Sequence, residues 1–316
     1  MFCSTIIPTI GRSTLCRAVQ SVLNQKFNAD DFEVIVVNDS GRPLPEEDWQ
    51  KSDRVRCVDT NRRERSVARN TGAAIARGDY LLFLDDDDWL FPGAFQHFWD
   101  KTQAADVDLF YGSSQLVDRQ GTPLIRLHHQ LDGNCFIKVM AGEWIPIGAF
   151  MVKADTFFHV NGFNPLITKN EDIDFLRKIA EHWDFLGFPE VVACISMGEG
   201  QGSSTDYTTG STFGRLTREA ILSRSGVYRR MLTSTSIWNW YGRLARIYLT
   251  SAIWNLQHRD PFSAMSRFSL ALLSFVFAGY RVLLPSFWRE LSSCYESESF
   301  RNGFAEAAPE LILSSR

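Results

Sequence analysis

The feature that most restricts the fold is a wholly apolar run, Tyr80 to Leu84, which ends in four consecutive aspartates, Asp85 to Asp88. A short apolar run between Arg77-Gly78-Asp79 and a row of carboxylates reads as a strand buried on both faces. Such strands form the interior of mainly parallel sheets. Phe2 to Ile7, Phe32 to Val37 and the shorter Val55 to Val58 read the same way. Between them, Leu15, Ala18, Val19, Val22 and Leu23 recur at helical spacing within Thr14 to Leu23. Val67, Ala68, Ala74 and Ile75 do so within Ser66 to Ala76. Strands alternating with helices predict an α/β protein with a Rossmann-like, mainly parallel sheet flanked by helices. Ligands bind such sheets beyond the carboxyl ends of the strands. Pro8-Thr9, Asn38-Asp39 and Asp85 to Asp88 all fall there and are expected to converge on one crevice.

The second half is less regular. A hairpin is expected from Leu109 to Val117, a short strand at Phe150 to Val152 and a helix from Asp172 to Ala180. Gly198 to Gly214, rich in Gly, Ser and Thr, reads as a mobile loop that could serve as a lid. Aromatic-rich helices are expected at 215–232, 236–257 and 262–283.

The aspartate run carries the most chemistry. Four carboxylates at the mouth of a buried strand repel one another unless a cation or strong donors offset them, and hard divalent ions such as Mn²⁺ or Mg²⁺ take oxygen ligands. The competing reading is a solvated acidic cap on a helix after Pro92. Asp39 stands where a carboxylate could accept hydrogen bonds from a base or ribose, or could make an Asx-turn beside Gly41. Among Arg62, Arg63, Arg65 and Arg69, Arg69 is the candidate for phosphate and the others read mostly as surface charge. Glu171-Asp172 opens a helix behind Asn170, a plausible cap, so the acids could simply complement the helix dipole. The functional alternative makes Asp172, with Glu171 second, a general base for an incoming hydroxyl. Asp174 reads as a helix-surface residue and Arg177 as structural.

Six blocks in order resemble the family-2 glycosyltransferases, inverting enzymes of the GT-A fold. They are Ile6 to Arg12 (IIPTIGR), Ser21 to Gln25 (SVLNQ), Glu33 to Gly41 (EVIVVNDSG), Ala68 to Trp89 (ARNTGAAIARGDYLLFLDDDDW), Val160 to Asn164 (VNGFN) and Asn170 to Lys178 (NEDIDFLRK). The resemblance implies a nucleotide-sugar donor, of UDP type, held by Pro8, Thr9, Arg12, Asp39, Arg69, Asp85 and Asp86. It makes Asp85-Asp86-Asp87 the DXD element, with Asp87 a ligand for Mn²⁺ or Mg²⁺ and Asp88 beside it. Glu171-Asp172 becomes the ED element, with Asp172 deprotonating a hydroxyl of a glycan, glycolipid or protein acceptor. The implied organisation is a GT-A domain over 1–213, split into a nucleotide-binding half (1–105) and an acceptor half with the lid loop (106–213), and a helical extension over 214–316. Trp144 to Phe150 (WIPIGAF) is expected near the acceptor. Two departures stand out: Ile10-Gly11 replace the family's usual aromatic-Asn pair, and the loop after Met197 lacks the His or Arg that often touches the diphosphate, leaving Gly202-Ser203-Ser204 as a weaker match.

Charge and composition set the remaining bounds. A net charge of −4 argues against nucleic-acid binding. Gly214 to Arg289 nevertheless carries eleven arginines and no lysine against only Glu219 and Asp260. With Trp238, Trp240, Trp254 and Trp288, this basic stretch suits either peripheral contact with an anionic membrane surface or packing as a helical cap or dimer interface. Phe268 to Leu284, interrupted by Arg281, falls short of the ~20 apolar residues of a spanning helix. No basic n-region precedes Phe2 to Ile7, and the six cysteines are scattered, which suggests reduced core thiols in a cytoplasmic protein, peripheral to the inner membrane face if the tail binds lipid. One glycine and no lysine in IIPTIGRSTL argue against a nucleotidyltransferase, and no GxGxxG supports a dehydrogenase. A catalytically inactive nucleotide-sugar-binding scaffold or a membrane-associated interaction protein is the rival of another kind.

Overall fold

The computed structural model describes residues 1–60, 63–118, 120–197, 207–234 and 241–292, without the side chains of Ala29 and residues 207–211. The N-terminal half follows the alternation in the sequence: β1 (Cys3–Thr9), α1 (Leu15–Leu23), β2 (Phe32–Asn38), β3 (Val55–Asp59), α2 (Arg65–Ile75) and β4 (Tyr80–Phe83). β1 pairs in parallel with β2 and β4, and β2 with β3. Every residue of β1 and β2 is buried, as expected of strands covered on both faces.

Beyond β4 come β5 (Trp89–Leu90), α3 (Ala94–Ala104), β6 (Leu109–Val117), β7 (Pro123–Leu127), α4 (Phe136–Met140), β8 (Phe150–Lys153), α5 (Ala154–His159), α6 (Glu171–Ala180) and β9 (Phe185–Ser196). The sheet runs β3-β2-β1-β4-β8-β6-β9-β5, with β7 on β6. It becomes mixed after β4: β8 is antiparallel to both β4 and β6, whereas β6 and β9 are parallel. The hairpin expected within Leu109 to Val117 is instead one nine-residue strand, and its turn comes later, through Gly121 at φ +87° before β7. Gly112 and the polar Ser113-Ser114 look like turn residues, but all three are buried in the strand. A Cβ on Gly112 would lie 2.6 Å from Val192 on β9.

Two packing features set the positions of the site elements. Gly72 lets α2 lie directly on the sheet, since a Cβ there would come 2.5 Å from Ile6. An aromatic cluster fixes α6 under β4: Phe163 stacks on Phe175 with centroids 4.5 Å apart, and Phe83 meets Phe163 edge-on at 5.0 Å. Such pairs contribute about 0.5–1.5 kcal/mol each beyond area burial.

The remaining elements are α7 (Tyr207–Leu222), α8 (Val227–Leu232), α9 (Tyr241–Gln257), α10 (Pro261–Ala278) and α11 (Pro285–Ser292). The loop expected to run to Gly214 is helical from Tyr207, and 198–206, including Gly202-Ser203-Ser204, lie outside the described residues, as do Trp238 and Trp240. The division expected at 213/214 falls inside α7, which Arg177 on α6 ties to the body through Gly214 O (2.7 Å) and Thr217 Oγ1 (2.8 Å). Arg177 is thus structural, as its sequence position suggested. Ile221, Val227, Met231, Ile247 and Tyr248 share one core cluster with the sheet. Buried Arg243 on α9 pairs with Glu143 of the body (2.8 Å) and Glu290 of α11 (2.5 Å). Asp174 is buried against Lys178 at 2.9 Å rather than on the helix surface. Cys16 and Cys57 are also less buried than the core role expected of them, Cys57 being exposed.

Candidate active site

The carboxyl ends of β1, β2 and β4, the N-termini of α2 and α6 and the end of β9 enclose a cavity of about 770 Å³. Pro8, Thr9, Arg12, Asp39, Arg69, all four of Asp85 to Asp88, Glu171 and Asp172 line it together. Its walls hold eight carboxylates against four arginines, a deficit of positive charge that defines its chemistry.

The first wall is the β1 loop against the aspartates. Thr9 Oγ1 donates to Asp86 Oδ2 at 2.6 Å and accepts from Gly11 N–H at 2.9 Å, with Gly11 at φ +81°. Arg12 pairs with Asp86 and lies 3.6 Å from Asp87. Asp86, only 1% exposed, is therefore held by two partners from one loop. Arg17 stacks over Trp89 at 3.7 Å and donates to the Asp87 carbonyl.

The second wall is joined to the first by Arg69. Its guanidinium, 2% exposed, bridges Asp85 Oδ1 (2.6 Å) and Glu171 Oε1 (2.9 Å), linking the aspartate run to α6. Burial raises the Asp85 carboxyl, but Arg69, followed by Arg65 and Arg12, more than offsets this and holds it below the ordinary value. Arg69 was expected to meet phosphate; its charge is instead engaged by two carboxylates. Arg63 and Arg65, expected at the surface, reach the cavity, with Arg65 3.4 Å from Glu171. Arg62 lies outside the described residues. Glu64, which drew no attention in the sequence, caps α2 by accepting from Ser66 and Val67 N–H groups and also faces the cavity.

Asp85, Asp87 and Asp88 offer carboxylate oxygens within 4.8 Å of one another. Asp88 is 5% exposed and accepts from the Ser196 N–H at 2.8 Å. Burial, then repulsion from Asp85 and Asp87, pushes its carboxyl well above the ordinary value. Burial and then Asp85 raise Asp87. These oxygens form a carboxylate cluster of the kind hard divalent cations accept, and they do not cap α3, whose N-cap is Gly93 with no side-chain cap bond. The β9 partner of Asp88 escaped the sequence reading because Phe185 to Ser196 contains Gly187 and Pro189, which mask its strand character.

Asp39 is buried and lines the cavity, its carboxyl raised by burial despite Arg63. The Asx-turn there belongs to Asn38, whose Oδ1 accepts from Ser40 N–H at 3.1 Å, which leaves Asp39 facing the cavity. Asn170 adopts φ +60° without a side-chain cap on α6. Asp172 is half-buried beside Glu171, and desolvation first, then Glu171, pushes its carboxyl up to about 6. Trp144, Pro146 and Ile147 complete an apolar wall of the cavity.

Residues 4–164 match the family model for glycosyl transferase family 2. The chain belongs to that family. Relatives include TarP of Staphylococcus aureus, a poly(ribitol-phosphate) β-N-acetylglucosaminyltransferase, 32% identical over 34% of this chain and 35% of its own length. The chain thus spans about a third of that relative. An uncharacterised glycosyltransferase of Haemophilus influenzae is 26% identical over 65% of this chain and 72% of its own. Among solved structures, S. aureus TarS 1-349, crystallised with UDP-GlcNAc, superposes with a TM-score of 0.60 at 14% identity, covering 88% of this chain and 92% of that one. The GT-A fold expected from the sequence blocks is therefore the fold observed, with helices following the mixed sheet.

Proposed function

We propose that this family-2 protein is a metal-dependent, inverting glycosyltransferase that moves a sugar from a nucleotide-sugar, of UDP type, to a hydroxyl of a glycan, glycolipid or protein. The carrying observation is a carboxylate cluster short of positive charge in the same cavity as Asp172, with Arg69 joining the two walls. TarS, similar in fold, was crystallised with UDP-GlcNAc, and TarP is named for transfer of N-acetylglucosamine, which supports the donor class.

Asp87 and Asp88, with Asp85 beside them, would hold Mn²⁺ or Mg²⁺, which would offset the charge developing on the departing diphosphate. Thr9 and Arg12 fix Asp86, and Asp39 faces the cavity to receive the base or ribose. Arg63 and Arg65 are the arginines suited to diphosphate oxygens, while Arg69 is a positioning residue. Asp172 accepts the acceptor's hydroxyl proton as that oxygen bonds to the anomeric carbon. The bond from that carbon to the diphosphate oxygen breaks with its electron pair on the leaving group, and configuration inverts. A base poised near neutral pH suits this role, and a positioned carboxylate contributes roughly 10²–10⁴-fold.

The test is thermal stability with a panel of nucleoside diphosphates and nucleotide-sugars, with and without Mn²⁺, on wild type and Asp87→Ala. Ligands that bind the folded state raise the midpoint. A metal-dependent rise with one nucleotide, lost in Asp87→Ala, is expected. A wild type that no nucleotide stabilises with metal present would refute the donor site.

A further inference from the structure

We infer that the outward face of α10 lies on a lipid surface carrying anionic headgroups. The helix is built inside out for a protein surrounded by water. Its buried residues are Ala264, Arg267, Ala271, Ser274 and Ala278, small or polar, and they pack on α9. Its opposite side carries Phe262, Met265, Leu272, Val276 and Phe277, continued by Leu283, all exposed, Phe262 by 89% and Leu283 by 84%. A contiguous apolar face of this kind marks a contact surface, whereas isolated exposed apolar residues do not.

Charge selects the occupant. The sequence from Pro261 to Arg289 contains no Asp or Glu, and arginines stand at both ends of the stripe, Arg259 before it and Arg281 and Arg289 after it; Glu290, 4.0 Å from Arg289, is itself buried against Arg243. Asp260, the nearest acid, accepts from Ser263 N–H at 3.0 Å as the cap of α10. A second copy docked face to face would bring these arginines together with no acid on the stripe to offset them. Anionic headgroups complement them, and exposed Trp288 beside Leu284 has the amphipathic ring that settles at headgroup depth.

The helix lies along the surface and does not cross it. Pro261–Leu283, 23 residues with an 18-residue window at mean hydropathy 1.4, has the length and apolarity of a membrane span and is longer than the stretch from Phe268 that the sequence suggested. Yet Arg267, two turns into it, bonds through Nε to both oxygens of Glu219 on α7 at 3.0 and 3.1 Å. A spanning helix would have to carry that pair into hydrocarbon, whereas an interfacial one keeps it in the protein.

The test is flotation of the full chain with vesicles of phosphatidylcholine alone and of phosphatidylcholine mixed with phosphatidylglycerol. Wild type is expected to float with the anionic vesicles. Phe262→Ser/Val276→Ser/Phe277→Ser, whose changes face outward, should bind about a hundredfold more weakly with an unchanged melting midpoint. Arg259→Gln and Arg289→Gln should each weaken binding about fivefold at low salt and leave folding intact, a readout independent of the apolar triple variant. Wild type remaining at the bottom of the gradient with both vesicles overturns the proposal. So does a lipid-free dimer that the triple variant dissolves, or resistance to alkaline extraction, which would mark a spanning helix. Vesicle binding gained only when residues 293–316 are removed would show that the chain covers its own face, and overturns it too.

Discussion

The α/β body and the C-terminal helices solve opposite problems. In the body, β1, β2 and β4 put their aliphatic side chains inside and gather charge at one end, where buried Arg69 and several carboxylates face a cavity. In the extension, α10 puts Ala, Ser and Arg inside and Phe, Leu and Val outside. The first region concentrates polar groups where a polar ligand can offset them, and the second concentrates apolar groups where only an apolar surface can. Both are incomplete as isolated surfaces. The contrast marks the two places for which a ligand and a lipid surface are proposed.

The most severe way to break the polar half of this contrast is Asp172→Asn. If Asp172 takes the proton from the acceptor, turnover falls roughly 10²–10⁴-fold while the stabilisation by Mn²⁺ and nucleotide persists. Steady-state rates alongside thermal shifts check this. Equal loss of nucleotide binding would make Asp172 part of the donor site instead.

A second substitution separates the two regions. Arg243 is 1% exposed and connects Glu143 of the body with Glu290 of α11. Arg243→Leu leaves two buried carboxylates without that cation, and breaking a buried pair on one side costs about 3–5 kcal/mol. Chemical denaturation should show that loss, and hydrogen exchange should show it largest in α9 and α11, with β1 to β4 least affected. Uniform loss across the chain would mean that body and extension unfold as one.

The pH dependence gives a smaller effect with a fixed sign. With the Asp172 carboxyl raised to about 6, the base is ionised above that pH and protonated below it. The kcat/KM profile should fall about tenfold per pH unit below roughly 6, and Asp172→Asn should lose this limb. A limb that survives the substitution belongs to another group.

What could be read in the sequence tracks how local the cause is. β1, β2 and β4, α1 and α2 follow from runs of apolar residues and from periodicity, and the cavity follows from where the strands end. All of the residues assigned to the donor, metal and base positions do line one cavity. β9 was missed because Gly187 and Pro189 interrupt it, although its value comes from distant pairing with β6 and the Ser196 N–H on Asp88. The pairing of Arg69 with Glu171 was illegible because the two stand 102 positions apart in the chain. The orientation of α10 was illegible for a different reason: hydropathy counts apolar residues but does not say which side the protein covers, and Ala264, Ala271 and Ala278 count as apolar too.

Asp88→Asn has the smallest effect and tests whether the cluster awaits a cation. Burial, followed by Asp85 and Asp87, holds the Asp88 carboxyl well above 3.8, so the folded protein binds this proton more tightly than the unfolded chain. The resulting relative stability is complete below pH 3.8 and is lost as pH rises through the folded value, which makes ionised Asp88 a liability to the metal-free protein at neutral pH. Asparagine keeps an oxygen for the Ser196 N–H and removes the charge. The metal-free midpoint at neutral pH should rise by about 1–2 °C, roughly the shift that 1 kcal/mol produces in a chain of this length. The difference should vanish in acid, and Mn²⁺ should stabilise the variant less than wild type. A midpoint that falls at neutral pH would mean that the carboxylate already has its counter-charge within the protein, and the cluster would then be a closed structural network with no vacancy for a metal.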